Sequence, residues 1–109
     1  MGPEAVPEQA PQVVRDNPAR QRFELSLGER GTAFIAYREL PYTRANGTPV
    51  LALTHAEVPV AARGGGVGAR LVRGTLELIR ERGERAAPRC PYVADYVLRH
   101  PEYSDIIES

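Results

Sequence analysis

Four glycines clustered just before an amphipathic run are the residues most suggestive of chemistry in this sequence. They follow Arg63 directly and are Gly64, Gly65, Gly66 and Gly68. Glycine lets backbone amides approach a ligand closely, and a helix N-terminus offers unpaired N–H groups at the positive end of its dipole. A neighbouring guanidinium adds a charge-assisted contact to an anion. The segment therefore predicts a phosphate site at the start of a helix.

The two common nucleotide-binding motifs do not fit this segment. A P-loop requires a lysine followed by Ser or Thr, and all 14 basic residues of the chain are arginines. The dinucleotide fingerprint belongs to a parallel βαβ unit, whereas the strands before this loop are expected to pair antiparallel. A glycine-rich connector without a ligand is the alternative interpretation.

A second group of candidate residues flanks the loop in sequence. His55 and Glu57 are two residues apart on a predicted strand and so share one face, where they would act as general bases or form a solvent-facing polar pair. Cys90 is the single cysteine. It would react only as a thiolate, favoured by the helix N-terminus at Pro91; the alternative is an inert buried thiol.

The elements that must position these residues can be predicted from periodicity. Val13 and Val14 are expected to begin a short first strand, and Asn17-Pro18 a turn after it. Phe23, Leu25 and Leu27 alternate with polar residues, which indicates a half-buried strand, and 32–40 and 50–58 are predicted strands as well. Apolar residues four apart from Val67 to Ile79 predict a helix that ends near Gly83. A strand over 86–90 and a short helix over 92–98, begun by Pro91, complete the chain.

We therefore predict an α/β (α+β) fold. A mixed, mostly antiparallel sheet would pack against one long helix after the glycine-rich loop and a short C-terminal helix. The strand after the long helix should run parallel to the strand before it. The length of 109 residues suits one domain, over 12–109, after a flexible proline-bearing tail over 1–11.

Composition narrows the functional classes. Fourteen acidic residues balance the 14 arginines, so a general nucleic-acid binder is not expected. One cysteine and two histidines do not make a structural zinc site, and no metal is expected. The sequence has no apolar run long enough for a membrane span and no signal peptide, so we expect a cytoplasmic protein without a membrane partner.

At this point the sequence resembles a known family. The stretch from Arg63 to Ala69 is similar to the Arg/Gln-x-x-Gly-x-Gly/Ala signature of the GNAT superfamily of N-acetyltransferases, which binds the pyrophosphate of coenzyme A. The stretch 55–72, together with Cys90-Pro91-Tyr92-Val93, resembles the minimal GNAT-like subfamily with a Cys-x-Tyr-Val segment. The resemblance covers nearly the whole chain outside the tail and implies the minimal GNAT (acyl-CoA N-acyltransferase) fold.

The resemblance implies an acetyl-CoA-dependent N-acetyltransferase, with Cys90, His55, Glu57 and Tyr96 as candidate catalytic residues. Tyr92 or Tyr96 would protonate the leaving thiolate, or simply pack with an exposed hydroxyl. The residues expected to contact acetyl-CoA are Glu57, Val58, Arg63, Gly64, Gly65, Gly66, Val67, Gly68, Ala69, Cys90 and Tyr92. The acceptor would be an amine on a small molecule or protein, and the chain a monomer or weak homodimer. The alternative is a non-catalytic module that binds coenzyme A or acyl-CoA.

Overall fold

The computed structural model describes residues 13–43 and 47–108. The predicted tail lies outside the described residues. The five strands are β1 (Arg15–Asn17), β2 (Arg22–Ser26), β3 (Thr32–Thr43), β4 (Pro49–Glu57) and β5 (Arg85–Pro88). The two α-helices are α1 (Val67–Glu81) and α2 (Pro91–Arg99). Short 3₁₀ turns occupy Gly28–Arg30, Val60–Ala62 and Pro101–Ile106.

The strands form one sheet in the order β1-β2-β3-β4-β5. The first four strands pair antiparallel, as the short connections between them predict. Strand β5 pairs parallel with β4 after the crossover through α1. The predicted mixed, mostly antiparallel sheet is therefore confirmed, as is the order of strands and helices along the chain.

One face of the sheet carries the main core. Phe23 and Leu25 of β2 and Ile35 of β3 are fully buried there, in one cluster with residues of both helices. The predicted apolar face of α1 is confirmed, because Val67, Leu71, Val72, Thr75, Leu76 and Ile79 are all buried. Gly83 takes the left-handed conformation (φ 71°) that ends this helix.

Several predicted strand boundaries were wrong. Strand β1 begins at Arg15 rather than at Val13, and β4 covers 49–57 rather than 50–58. Strand β3 does not stop at Leu40 but continues through Pro41 to Thr43, because the register shifts between Glu39 and Thr43 and the missing N–H of proline costs no ladder bond at an irregularity. Strand β5 covers 85–88 rather than 86–90. The N–H groups of Arg89 and Cys90 both donate to the Leu53 carbonyl, at 3.0 and 2.9 Å, so the regular ladder ends there.

The opposite face of the sheet has a different character. Its buried apolar residues form a separate small cluster contributed by strands only, which consists of Leu40, Val50, Ala52 and Ala87. Within the described part of the chain, neither α-helix contributes to this cluster, because α1 and α2 both pack on the main core. We call this side the strand-only face. Its remaining positions carry mostly polar side chains.

Candidate functional site

The glycine-rich loop leads directly into the first turn of α1. Gly66 is the N-cap residue and adopts a left-handed conformation (φ 76°, ψ 14°), and Gly64 also has a positive φ of 92°. Both conformations favour glycine. No side chain caps this terminus, and its first turn holds no acidic residue. Since the first helical bond runs from Arg70 N–H to the Gly66 carbonyl, the preceding N–H groups of the helix are available to an anion.

Two arginines hold the loop from its two ends. Arg63 Nε donates to the Val58 carbonyl at 3.1 Å, which fixes the guanidinium beside the end of β4. Arg70, one turn into α1, donates from Nη1 to the Gly65 carbonyl at 3.0 Å. The exposed remainder of Arg63 stays free for a second contact, so the loop combines backbone donors with a fixed positive charge.

A pocket of about 350 Å³ opens at this helix terminus. Its lining is largely apolar along one side and glycine-rich along the other. The lining residues are Ala56, Val58, Arg63, Gly64, Gly66, Val67, Gly68, Leu71 and Tyr92. An anionic group at the α1 N-terminus joined to an apolar arm along β4 fits this lining. Most of the residues predicted for the cofactor thus surround one cavity.

Gly68 and Tyr92 meet across the pocket wall. A Cβ atom added at Gly68 would lie 2.2 Å from the Tyr92 hydroxyl oxygen and 2.9 Å from its Cζ. The absence of a side chain at Gly68 is therefore what lets the half-exposed ring of Tyr92 (48% exposed) lie against the first turn of α1. This contact joins α2 to the glycine-rich loop at the start of α1.

Strand β4 extends past its partner on one side. Its last pair with β5 joins Leu53 to Pro88, whereas β4 itself continues to Glu57. The register with β3 also shifts at Ala36/Tyr37, which leaves Thr54 as the extra residue of a β-bulge. Beyond Leu53, therefore, no described strand covers this edge of β4, and the edge borders the pocket through Ala56.

Cys90 lies at the point where β4 and β5 separate. It is the N-cap residue of α2 and is 6% exposed, and its backbone N–H binds Leu53. Cys90 therefore does not end β5 as predicted, because β5 stops two residues earlier. The cysteine packs in the main core and is not among the residues that line the pocket.

His55 and Glu57 lie side by side on β4, with His55 Nε2 3.3 Å from Glu57 Oε1. Their side chains are 62% and 56% exposed, which leaves both open to solvent or an acceptor. Phe34 packs next to His55 with its ring 6.1 Å away, and the Arg22 guanidinium lies 4.1 Å above the Phe34 ring. Side chains alternate along a strand, so this pair lies on the strand-only face. Ala56, which lies between the two residues in sequence, and Val58, which follows Glu57, face the pocket instead.

Tyr96 lies outside the main pocket. Its ring stacks on His100 at 4.0 Å and lines a second cavity of about 140 Å³, next to Ala69, Tyr92 and the Asp95–Arg99 ion pair. Burial of the ring raises the pKa of the Tyr96 hydroxyl. The structure therefore brings the predicted phosphate loop and Tyr92 together, but it separates Tyr96, Cys90 and the His55–Glu57 pair from that cavity.

Three residues of the site did not figure among the predicted ones. Leu71 and Ala56 line the pocket, and Arg70 holds Gly65. The spacing of four residues from Val67 to Leu71 and from Gly66 to Arg70 is a helical signal that could have identified two of them. Among residues 13–43 and 47–108, no group of three or more His, Cys, Asp or Glu side chains could hold a metal ion. No helix in the same ranges is long and apolar enough to cross a membrane.

Comparisons with known proteins agree with this geometry. Residues 22–106 match the family model of the GCN5-related N-acetyltransferases. The chain is also similar to a curated mouse protein named Protein NATD1, with 29% identity over 100 residues. That alignment covers 91% of this chain and 86% of the mouse protein, so the similarity extends over both proteins nearly end to end.

Proposed function

Because the chain belongs to the family of GCN5-related N-acetyltransferases, we propose that it transfers an acetyl group from acetyl-CoA to an amine. One observation carries the proposal for this chain. The uncapped N-terminus of α1, with its left-handed Gly66 and the adjacent Arg63, opens into a pocket that continues along the unpaired edge of β4. A diphosphate joined to a long, thin, mostly apolar arm is the ligand chemistry that suits this shape.

The chain's own residues would divide the binding task. The N–H groups of Val67, Gly68 and Ala69, in the first turn of α1, would hold the pyrophosphate, together with the free part of the Arg63 guanidinium. Gly64 and Gly65 keep side chains away from the phosphates. The backbone of Glu57 and Val58 would contact the pantetheine arm, and Tyr92 would close the pocket on the α2 side.

Acetyl-CoA, when bound, supplies a thioester whose carbonyl carbon forms a bond to the amine nitrogen while the carbon–sulfur bond breaks. The amine must lose a proton for this reaction, and the sulfur must gain one. The exposed His55–Glu57 pair offers proton-accepting groups on the part of β4 that β5 does not pair with, on its strand-only side. We assign the pair to proton removal from the amine, with Glu57 orienting the His55 ring.

Tyr92 is the better placed of the two tyrosines to protonate the departing sulfur, because it lines the pocket and Tyr96 does not. Cys90 lies next to the same gap through its backbone bond to Leu53. Its buried thiol suits a packing role better than a covalent one, because a nucleophile must reach the thioester carbon. The acceptor approaches from the strand-only face.

The binding step is tested with a pair of variants at the two ends of one helix. Gly66 and Gly83 both have left-handed conformations, with φ values of 76° and 71°, so a substitution strains each backbone alike. Gly66→Asp adds a carboxylate at the phosphate site, whereas Gly83→Asp adds it at the far end of α1. Isothermal titration with acetyl-CoA should show binding to the wild type and Gly83→Asp, and at least tenfold weaker binding to Gly66→Asp.

Transfer itself is measured by the release of free thiol from acetyl-CoA in the presence of a panel of amines. Glu57→Gln should lower kcat while it leaves acetyl-CoA affinity unchanged, since the carboxylate orients the His55 base and does not line the pocket. Binding of acetyl-CoA without acetylation of any amine would make the chain a coenzyme A binding module instead. Equal acetyl-CoA affinity of Gly66→Asp and Gly83→Asp would refute the assignment of the phosphate site.

A further inference from the structure

Arg70 binds the glycine-rich loop twice. Its backbone N–H donates to the Gly66 carbonyl at 3.1 Å, and its Nη1 donates to the Gly65 carbonyl at 3.0 Å. Two consecutive carbonyl oxygens of the loop therefore have their donors on one residue of α1. A concave anion site needs backbone N–H groups turned toward the ligand, and a carbonyl oxygen left facing the same site would repel the anion by its partial negative charge.

The charges at the start of α1 are the reverse of those that stabilise a helix. Acidic side chains suit a helix N-terminus and basic ones its C-terminus, because of the helix dipole. Arg80 and Arg99 follow this rule, in the last turns of α1 and α2. The first turn of α1 holds no acidic residue, and Arg63 and Arg70 lie on either side of it. Within residues 13–43 and 47–108, their guanidinium groups bind backbone carbonyls and not carboxylates.

The surroundings of Arg70 do not favour stability in other respects either. The side chain is half-buried, and its Nε is buried without a hydrogen-bond partner in the described part of the chain. A buried donor without a partner costs free energy, which the bond to Gly65 offsets only in part. Local rules of stability are broken mainly at functional sites. An arginine at this position is therefore better explained by a ligand than by the fold.

We infer that Arg70 is a positioning residue for the diphosphate: it takes the Gly65 carbonyl and so holds the loop with its N–H groups open to the anion. This inference rests on the proposed function for the identity of the ligand. Arg63 has a different part, because it lines the pocket and would contact the phosphates directly. Arg70 does not line the pocket and acts through the loop. Its effect should therefore be confined to ligands that carry a diphosphate.

The test compares three ligands of the same site. They are acetyl-CoA, inorganic pyrophosphate, and S-acetylpantetheine, which has the thioester and the apolar arm without the diphosphate. NMR titration of the isotope-labelled full chain measures the affinity of each ligand. Arg70→Met keeps an unbranched side chain and removes its donors, so acetyl-CoA and pyrophosphate should each bind about tenfold more weakly, as expected for one hydrogen bond to a charged group. S-acetylpantetheine should bind the wild type and the variant equally.

Two more variants and a stability measurement separate this role from general support of the fold. Arg70→Lys retains a charged donor and should recover most of the affinity that Arg70→Met loses. Arg73→Met is the matched control, because Arg73 is exposed on α1 three residues further on, and all three affinities should stay unchanged. The unliganded wild type and Arg70→Met should have the same urea midpoint. Loss of the Gly65 bond is offset when a cation and an unpartnered donor leave this helix terminus.

The results distinguish the role of Arg70 from acetyl transfer itself. Equal acetyl-CoA affinity of the wild type and Arg70→Met would overturn the inference and leave the transferase proposal intact. A matching loss of S-acetylpantetheine affinity, or a lowered urea midpoint, would also overturn it, because Arg70 would then support the fold as a whole. Selective loss of diphosphate ligands in a chain that acetylates no amine would support the role of Arg70 and refute transfer. A wild type that binds neither acetyl-CoA nor pyrophosphate would overturn both.

Discussion

Replacement of Gly68 by alanine should weaken acetyl-CoA binding without unfolding the protein. The new Cβ would lie 2.2 Å from the Tyr92 hydroxyl oxygen and 3.2 Å from its Cε2. A normal contact between such atoms is about 3.5 Å, so the ring must move by roughly 1 Å or more. The ring is the far end of a half-exposed side chain and can rotate into solvent. Tyr92 then leaves the pocket wall.

The sizes of the two effects follow from the contacts. If Tyr92 covers roughly 50 Å² of the ligand, a quarter of the surface of a tyrosine, its loss costs about 1.2 kcal/mol, or roughly eightfold in Kd. Stability changes little, because alanine within a helix is favoured over glycine by about 0.5–1 kcal/mol and this gain offsets the displaced ring. Affinity should therefore fall while the free energy of unfolding stays within about 1 kcal/mol of wild type.

A double-mutant cycle with Tyr92→Ala tests this reasoning. Isothermal titration gives the acetyl-CoA affinity and urea denaturation gives the free energy of unfolding. Tyr92→Ala alone should lose as much acetyl-CoA affinity as Gly68→Ala does. The double variant should lose no more than either single variant, because both changes remove the same contact between the Tyr92 ring and the ligand. Unchanged affinity in Gly68→Ala would show that Tyr92 does not contact the ligand. Additive losses would show that Gly68 acts through its own backbone.

Three further predictions concern other parts of the molecule. In Gly74→Ala the new Cβ would meet Val14 Cγ2 at 2.4 Å, so the free energy of unfolding in urea should fall by about 1–3 kcal/mol with acetyl-CoA affinity unchanged; an unaltered midpoint would contradict this packing. Burial and the hydrogen bond to Asp16 raise the pKa of Tyr37 to about 12. The protonated hydroxyl therefore stabilises the fold below pH 10, and this contribution should be lost between pH 10 and 12. Tyr37→Phe should make the free energy of unfolding less dependent on pH in that range. Cys90→Ala should retain most acetyl transfer, and intact mass spectrometry of the wild type with acetyl-CoA should show no added acetyl group; a stable acetyl adduct that disappears in the variant would instead make Cys90 an acyl acceptor.

Local pattern was sufficient for much of the fold. The alternation at Phe23, Leu25 and Leu27 and the spacing from Val67 to Ile79 identify buried faces, because burial in a sheet or helix repeats with the geometry of that element. The conformation of the glycine-rich loop can also be predicted locally. The positive φ angles at Gly64 and Gly66 are accessible to glycine and costly for other residues. The segment that resembles the GNAT signature is this same contiguous one.

Strand ends were harder to predict, because they depend on the partner strand. Pro41 continues β3 only because the register with β4 shifts there, and β5 ends early because Leu53 accepts from both Arg89 and Cys90. Neither event has a local signal in the sequence. Both result from hydrogen bonds between segments that are far apart in the chain.

The sequence by itself determined the glycine-rich loop, the amphipathic helix behind it and the order of strands, because each depends on neighbouring residues. Only the tertiary structure decided which candidates share a cavity. It set Tyr92 against Gly68, placed Tyr96 beside a different cavity, and buried Cys90 in the core. It also separated His55 and Glu57 from the pocket by the thickness of one strand, since the bulge at Thr54 and the direction of β4 determine which face each side chain takes.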